Sequence, residues 1–189
     1  MTIEEAAALI ADGGVVGVPT ETVYGIAADP RNEEAVGRLF DLKGRDRSKP
    51  IALLGDGSEA FTKVAQIDGL AAAMGRRHWP GPLTLVVEMR KALAGGVGDA
   101  ERGTVGIRVP DHPVALALLA VTGPLAVTSA NPSGGPDAID DLAARAALGD
   151  AVDGYLVGSG SAGEGSTVVD VTVRPPVVLR QGPLRLRFA

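Results

Sequence analysis

Four cations fall within seven residues in the stretch Lys43-Gly44-Arg45-Asp46-Arg47-Ser48-Lys49, which Pro50 closes. The chain as a whole is acidic, with a formal net charge of -5 over 189 residues. Clustered like charges repel, and an anionic ligand would offset that repulsion. Phosphate and carboxylate are the anions that Lys and Arg hold best. Gly44 adds room for backbone N–H groups to approach an oxyanion. A solvated loop is the plain alternative for such a run, so the other segments must be asked what else they offer an anion.

They offer hydroxyls, amides and further arginines. Thr20, Thr22, Ser129, Asn131, Ser166 and Thr167 all lie at the ends of apolar runs. Arg108 interrupts the apolar stretch Thr104 to Pro110, and Arg180 follows Val177 to Leu179. An arginine in an apolar strand is costly unless it is paired or faces a cleft. The alternative is a half-exposed strand with Arg108 on its solvent face. Guanidinium groups among hydroxyls and amides suit a ligand carrying both phosphates and a carboxylate. Such a site would work by positioning and electrostatics rather than through a covalent enzyme intermediate.

Other chemistries lack their parts. Cysteine is absent, and the two histidines, His78 and His112, have no metal-ligand spacing. Neither histidine flanks a serine elbow for a Ser-His-Asp triad. No phosphate-binding P-loop motif and no dinucleotide fingerprint is present. Aromatics are 3% of the chain, which leaves few platforms for stacking bases. The acidic N-terminus, Met1-Thr2-Ile3-Glu4-Glu5, is unlike a signal peptide, and the apolar run Val114 to Val121 is too short for a bilayer. A cytoplasmic protein without a membrane segment is the expectation.

The elements that must position these residues read as follows. Thr2 caps a helix through Asp12, with Glu5 completing a capping box. Val15 to Val18 is a buried strand, and its end carries Pro19 to Gly25. Asn32 caps a helix that turns Val36, Leu39 and Phe40 inward and delivers the chain to Lys43. Ile51 to Leu54, Leu83 to Val87, Thr104 to Val109, Pro124 to Val127, Tyr155 to Val157, Ser166 to Val171, Val177 to Arg180 and Leu184 to Phe188 read as strands. Residues 57 to 78 read as two helical pieces joined near Gln66 to Gly69. Asp111 caps a helix to Val121, and another runs from Asp140 to Leu148. Gly158 to Gly165 is a Gly/Ser-rich loop and a candidate lid. With no linker or repeat, the expectation is one α/β domain over residues 1–189, a twisted mixed open sheet with flanking helices.

Seven blocks carry a resemblance. They are Pro19-Thr20-Glu21-Thr22-Val23-Tyr24-Gly25, Lys43-Gly44-Arg45, Trp79 to Thr84, Thr104 to Pro110, Ser129-Ala130-Asn131, Ser166 to Asp170 and Leu179-Arg180. In this order they resemble the threonylcarbamoyl-AMP synthase family, the YrdC-type domain, over nearly the whole chain. The resemblance implies a YrdC-like fold and a nucleotidyltransferase. L-threonine, bicarbonate or CO2 and ATP would give threonylcarbamoyl-AMP and pyrophosphate, for threonylcarbamoyladenosine formation next to the tRNA anticodon.

It also implies roles. Thr22, Arg108 and Ser166 would hold threonine. Arg45, Lys49, Thr104, Ser129, Asn131 and Arg180 would hold ATP. Lys43, Arg45 and Ser129 would be the catalytic, phosphate-facing wall. Mg2+ would come with ATP, with no protein side chain as ligand. The partners implied are a tRNA-modifying transferase complex that receives the adenylate, and weak binding to tRNA. Three positions depart from the family pattern: Asp46 where Pro is frequent, Leu54 where some members carry His, and Gln181 where Pro usually follows the final arginine. Asp46 would bring an acid into the phosphate wall. The rival readings are a non-catalytic RNA-binding YrdC-like module and a related domain that carbamoylates another acceptor.

Overall fold

The computed structural model describes residues 1–160 and 163–188. Among the described residues nine strands form one mixed sheet: β1 (Val16–Val18), β2 (Gly25–Ala28), β3 (Ala52–Leu54), β4 (Leu83–Glu88), β5 (Thr104–Arg108), β6 (Leu125–Ser129), β7 (Gly154–Tyr155), β8 (Thr167–Asp170) and β9 (Val177–Arg180). The spatial order is β7-β1-β2-β6-β3-β5-β4-β8-β9. Pairings β1–β7, β3–β5 and β4–β8 are parallel, and the other five are antiparallel. The expected α/β class with a mixed sheet and flanking helices is what the chain adopts.

Among the described residues five α-helices flank it: α1 (Ile3–Ala11), α2 (Glu33–Lys43), α3 (Gly69–His78), α4 (Pro113–Thr122) and α5 (Asp141–Leu148). Thr2 and Glu5 form the expected capping box on α1. Asn32 accepts from Ala35 N at the start of α2, and Asp140 does the same for Ala143 N at the start of α5.

The side-chain alternation of the strands divides the core between two faces. On one face Ile26, Ala28, Leu53, Leu85 and Ile107 pack with Val36, Leu39 and Phe40 of α2, Met74 of α3 and Ala144 of α5. On the other, Val16, Val18, Ala27, Leu54 and Leu125 pack with Ala6 and Ile10 of α1 and Ala115, Leu118 and Leu119 of α4. Helices α1 and α4 pack on each other. Residues farther along this second face, on β3, β5, β4 and β8, line a cavity instead.

Four local expectations change. A strand, β2, lies between Gly25 and Ala28, where the small residues of Gly-Ile-Ala-Ala give little β signal. The first helical piece after residue 57 is a single 3-10 turn, Ser58–Phe61. Helix α4 has His112 rather than Asp111 at its N-cap position and no side-chain cap there; Pro113 at its first position has no N–H to satisfy. Leu184 to Phe188 makes no strand. Leu184, Leu186 and Phe188 still pack on the core by alternation, while the Leu184 carbonyl accepts from side chains of Thr167 and Gln181. The Gly158 to Gly165 loop includes residues 161 and 162, which lie outside the described residues.

Candidate functional site

The cavity has a volume of about 390 Å3, within the range of small-molecule sites. Its floor is built from small residues on three strands: Gly25, Ala52 and Gly106. A Cβ on Gly106 would stand 3.2 Å from Ala52 Cβ and 3.3 Å from Thr84 Cγ2. Gly106→Val should therefore fill the floor while leaving the backbone unstrained. The expected outcome is at least a roughly tenfold loss of ligand affinity by calorimetry, with a stability cost of about 1–3 kcal/mol from overpacking.

One wall carries hydroxyls and a buried arginine. Arg108, at the end of β5, is 5% exposed. The half-exposed alternative for its strand is thus replaced by full burial with a counterion. Its Nη2 lies 2.7 Å from Glu21 Oε1, and its Nε donates to the Gly81 carbonyl at 3.1 Å. Burial lowers the proton affinity of this guanidinium, and Glu21 opposes that effect. Around it stand Thr22, Thr84 and Ser166. The Thr84 and Ser166 hydroxyls are 2.7 Å apart, and those of Thr20 and Thr22 are 3.0 Å apart.

Two further arginines line the cavity, one of them joined to the hydroxyl wall. Arg180 lines the cavity, donating through Nε to the Ser166 carbonyl at 2.9 Å and through Nη2 to Ser166 Oγ at 3.1 Å. Burial, and then the nearby Arg108, lowers its proton affinity. Arg45 lines the cavity too, and its guanidinium donates to the carbonyls of Lys49 and Pro50. Burial again lowers its proton affinity. Cations that destabilise one another and are partly desolvated favour an anion between them.

The basic stretch is divided by the fold. Helix α2 ends at Gly44, whose φ of +55° sends the following residues in a new direction. Arg45 enters the cavity wall. Arg47 turns outward, 5.3 Å from the Phe40 ring centroid and 3.4 Å from Asp41. Lys49 is exposed and outside the cavity lining. Asp46 is exposed as well, accepting from Ser48 N. The acid expected within the phosphate wall instead holds the turn behind it.

Lys43 lies beneath the wall rather than in it. It is 4% exposed. Its Nζ reaches the Ser129 carbonyl at 2.6 Å, Ser129 Oγ at 3.2 Å, the Asn131 carbonyl at 2.6 Å and Asn131 Oδ1 at 2.9 Å. Burial, then Arg45, pushes its pKa down to about 8. Asn131 is buried, accepting from Ser129 Oγ and donating to the Gly135 carbonyl. Lys43 and Asn131 thus shape the segment that presents Ser129 and Asp137 to the cavity. Thr104 begins β5 on the same face as Gly106 and Arg108, buried and outside the lining.

Of the residues singled out from sequence, Thr22, Arg45, Arg108, Ser129, Ser166 and Arg180 line one cavity. Leu54 also lines it, with an apolar side chain where some relatives carry His. Gln181 points elsewhere, donating to the carbonyls of Gly182 and Leu184. Glu21, Thr84 and Asp137 were not singled out as site residues. The costly buried charge of Arg108 was the one available hint that a carboxylate must be near.

Residues 8–182 match the family model Sua5/YciO/YrdC, described as telomere recombination. The chain belongs to this family. A Mycobacterium tuberculosis relative is 44% identical over 184 residues, covering 96% of this chain and 84% of its own length. A Bacillus subtilis relative named threonylcarbamoyl-AMP synthase is 38% identical, covering 95% of this chain and 53% of its own length. The solved structure of Pyrococcus abyssi Sua5 complexed with L-threonine superposes with a TM-score of 0.87 at 35% identity, covering 96% of this chain and 54% of that one. Members of the Sua5/YciO/YrdC family therefore differ in length around a shared unit of this size.

Proposed function

We propose that the chain is an L-threonylcarbamoyladenylate synthase. It condenses L-threonine, bicarbonate or CO2 and ATP into threonylcarbamoyl-AMP and pyrophosphate, for threonylcarbamoyladenosine in tRNA. The observation that carries this reading is one cavity lined by three arginines and several hydroxyls. Arg108, Thr22, Thr84 and Ser166 line it, Arg180 bonds to Ser166 there, and Arg45 lines it as well. Arg108 with the hydroxyls suits an amino acid with a carboxylate and a hydroxyl, and Arg45 with Arg180 suits phosphates. The names and ligand of its family relatives agree with this assignment.

In this reading Arg108 receives the threonine carboxylate, with Thr22 and Ser166 beside it. The neutral threonine amine forms a C–N bond to CO2 and gives up a proton to solvent, leaving an N-carboxylate. An oxygen of that carboxylate forms a bond to the α-phosphorus of ATP while the bond from that phosphorus to the bridging oxygen breaks, and pyrophosphate leaves. Arg45, Arg180 and Ser129 hold the phosphates, so the chain supplies alignment and charge. Lys49, Thr104 and Asn131 belong to the nucleotide side of the same proposal, Lys49 as an exposed counterion and Asn131 through its bond with Ser129. Among the described residues lining the cavity Asp137 is the one carboxylate, and no cluster of three acids or histidines could hold a metal. This donor set suits an Mg2+ ion carried by the phosphates, where it would neutralise the leaving pyrophosphate. Delivery of the adenylate to a tRNA-modifying transferase complex, a weak tRNA contact and a cytoplasmic location complete the proposal. Among the described residues no helix is long and apolar enough to cross a membrane.

Pyrophosphate release from ATP, magnesium and bicarbonate, with and without L-threonine, tests this. Release that needs both threonine and bicarbonate is the expected result. No release, with RNA binding that weakens steeply with salt, would instead support a non-catalytic RNA-binding module. Arg45→Ala should lose a charge-assisted contact of about 1.5–3 kcal/mol, or roughly ten- to a hundredfold in rate. Wild-type turnover by this variant, folded by circular dichroism, would remove Arg45 from the site.

A further inference from the structure

Glu21 sits between two threonines of the cavity wall, Thr20 and Thr22, yet it does not line the cavity. Both of its carboxylate oxygens are buried, and Oε1 lies 2.7 Å from Arg108 Nη2. The Gly81 carbonyl holds Nε of the same guanidinium. The nitrogen that neither group holds is Nη1. Arg108 is therefore pinned along one edge and half-neutralised before any ligand arrives.

That arrangement bears on which anion Arg108 accepts. A bare buried guanidinium attracts an anion in proportion to the anion's charge. It would favour a phosphate over a carboxylate, and the cavity is expected to hold both. A fixed carboxylate beside it repels in the same proportion. For a zwitterionic amino acid the two effects nearly cancel, because its ammonium offsets its carboxylate. For a multiply charged phosphate the repulsion accumulates. Discrimination then comes from an unfavourable term built against the wrong ligand, not from a better fit to the right one.

We propose that Glu21 is a specificity-determining residue that keeps Arg108 for an amino-acid carboxylate and closes it to phosphate. This rests on the threonine reading of the hydroxyl wall. Glu21 touches no substrate and acts through Arg108, so it is a positioning residue.

The test is calorimetric titration of native protein, Glu21→Gln and Glu21→Asp, with inorganic phosphate and L-threonine as probes. Phosphate should bind Glu21→Gln at one site more than the native protein. In Glu21→Gln the apparent Kd for threonine should rise in proportion to phosphate, by about tenfold or more at saturating competitor. Glu21→Asp, which keeps the charge, should follow the native pattern. A Glu21→Gln protein that gains no phosphate site, or an Asp variant that gains it equally, would overturn the proposal. Should Glu21→Gln fail to fold, the native protein decides: phosphate that displaces threonine there overturns it, and phosphate that leaves threonine bound supports it. The failure of the functional reading looks different. A native protein that ignores threonine, while Glu21→Gln still gains its phosphate site, would refute the threonine assignment and leave the role of Glu21 in excluding phosphate standing.

Discussion

Arg108→Met should destabilise the protein by about 3–5 kcal/mol and abolish measurable threonine binding. The two losses have separate causes. Arg108 and Glu21 form an ion pair at 2.7 Å in a largely buried setting. Removing Arg108 takes away the guanidinium that faces the buried Glu21 carboxylate, and breaking one side of a buried pair is the costly case. Replacing both partners by apolar residues is often neutral. The double variant Arg108→Met with Glu21→Leu should therefore regain most of the lost stability in urea denaturation. Threonine binding should stay absent, because the charge-assisted contact of about 1.5–3 kcal/mol is gone in both proteins. A double variant as unstable as the single one would show that Arg108 stabilises the fold by packing rather than by pairing. A single variant that binds threonine normally would remove Arg108 from the proposed amino-acid site.

Lys43→Met is expected to have the next largest effect, although Lys43 does not line the cavity. Its ammonium gathers two carbonyls, a hydroxyl and an amide oxygen from Ser129 and Asn131. Each buried acceptor left without a donor costs about 1–3 kcal/mol. Part of that is recovered by relaxation of the segment that carries Ser129. We expect a loss of about 2–4 kcal/mol in transition-state stabilisation, or roughly 30- to 1,000-fold in rate. Hydrogen exchange should show residues 129–135 loosened.

The same lysine predicts a pH dependence. Its pKa is pushed down to about 8, chiefly by burial, from the usual 10.5. Between these values the unfolded chain binds the proton and the folded chain does not. The penalty for burying this charge is thus present below about pH 8 and is relieved as pH rises toward the unfolded value. Activity should move the other way. A neutral amine has two hydrogens for four acceptors, so turnover should fall as pH rises through about 8. In Lys43→Met that limb of the pH–rate profile should vanish. A native profile flat to pH 10 would show that the four acceptors keep Lys43 charged despite its burial.

Much of this protein was legible along the chain because the signals are local. The Thr2–Glu5 capping box, the Asn32 and Asp140 caps and the β-branched runs of β1 and β8 depend on residues within a few positions of each other. Each of the seven motif blocks that pointed to the family is likewise a short contiguous run, and their order is read directly along the chain. The need for compensating charge around Arg45 and Arg108 was legible from residue type, since clustered or buried cations require compensation.

What only the tertiary structure decided are contacts between residues far apart in sequence. Glu21 meets Arg108 across 87 positions because the order β2-β6-β3-β5 brings the ends of distant strands to one wall. No local pattern encodes that order. The basic stretch looked like one site, yet Gly44 redirects the backbone and the four cations take four different paths. Lys43 goes down to Ser129 and Asn131, Arg45 into the cavity, Arg47 onto Phe40, and Lys49 into solvent. The empty floor at Gly25, Ala52 and Gly106 belongs to three strands at once. Side-chain direction and strand order are set by packing the whole sheet, and for that reason they were not readable from the residues one segment at a time.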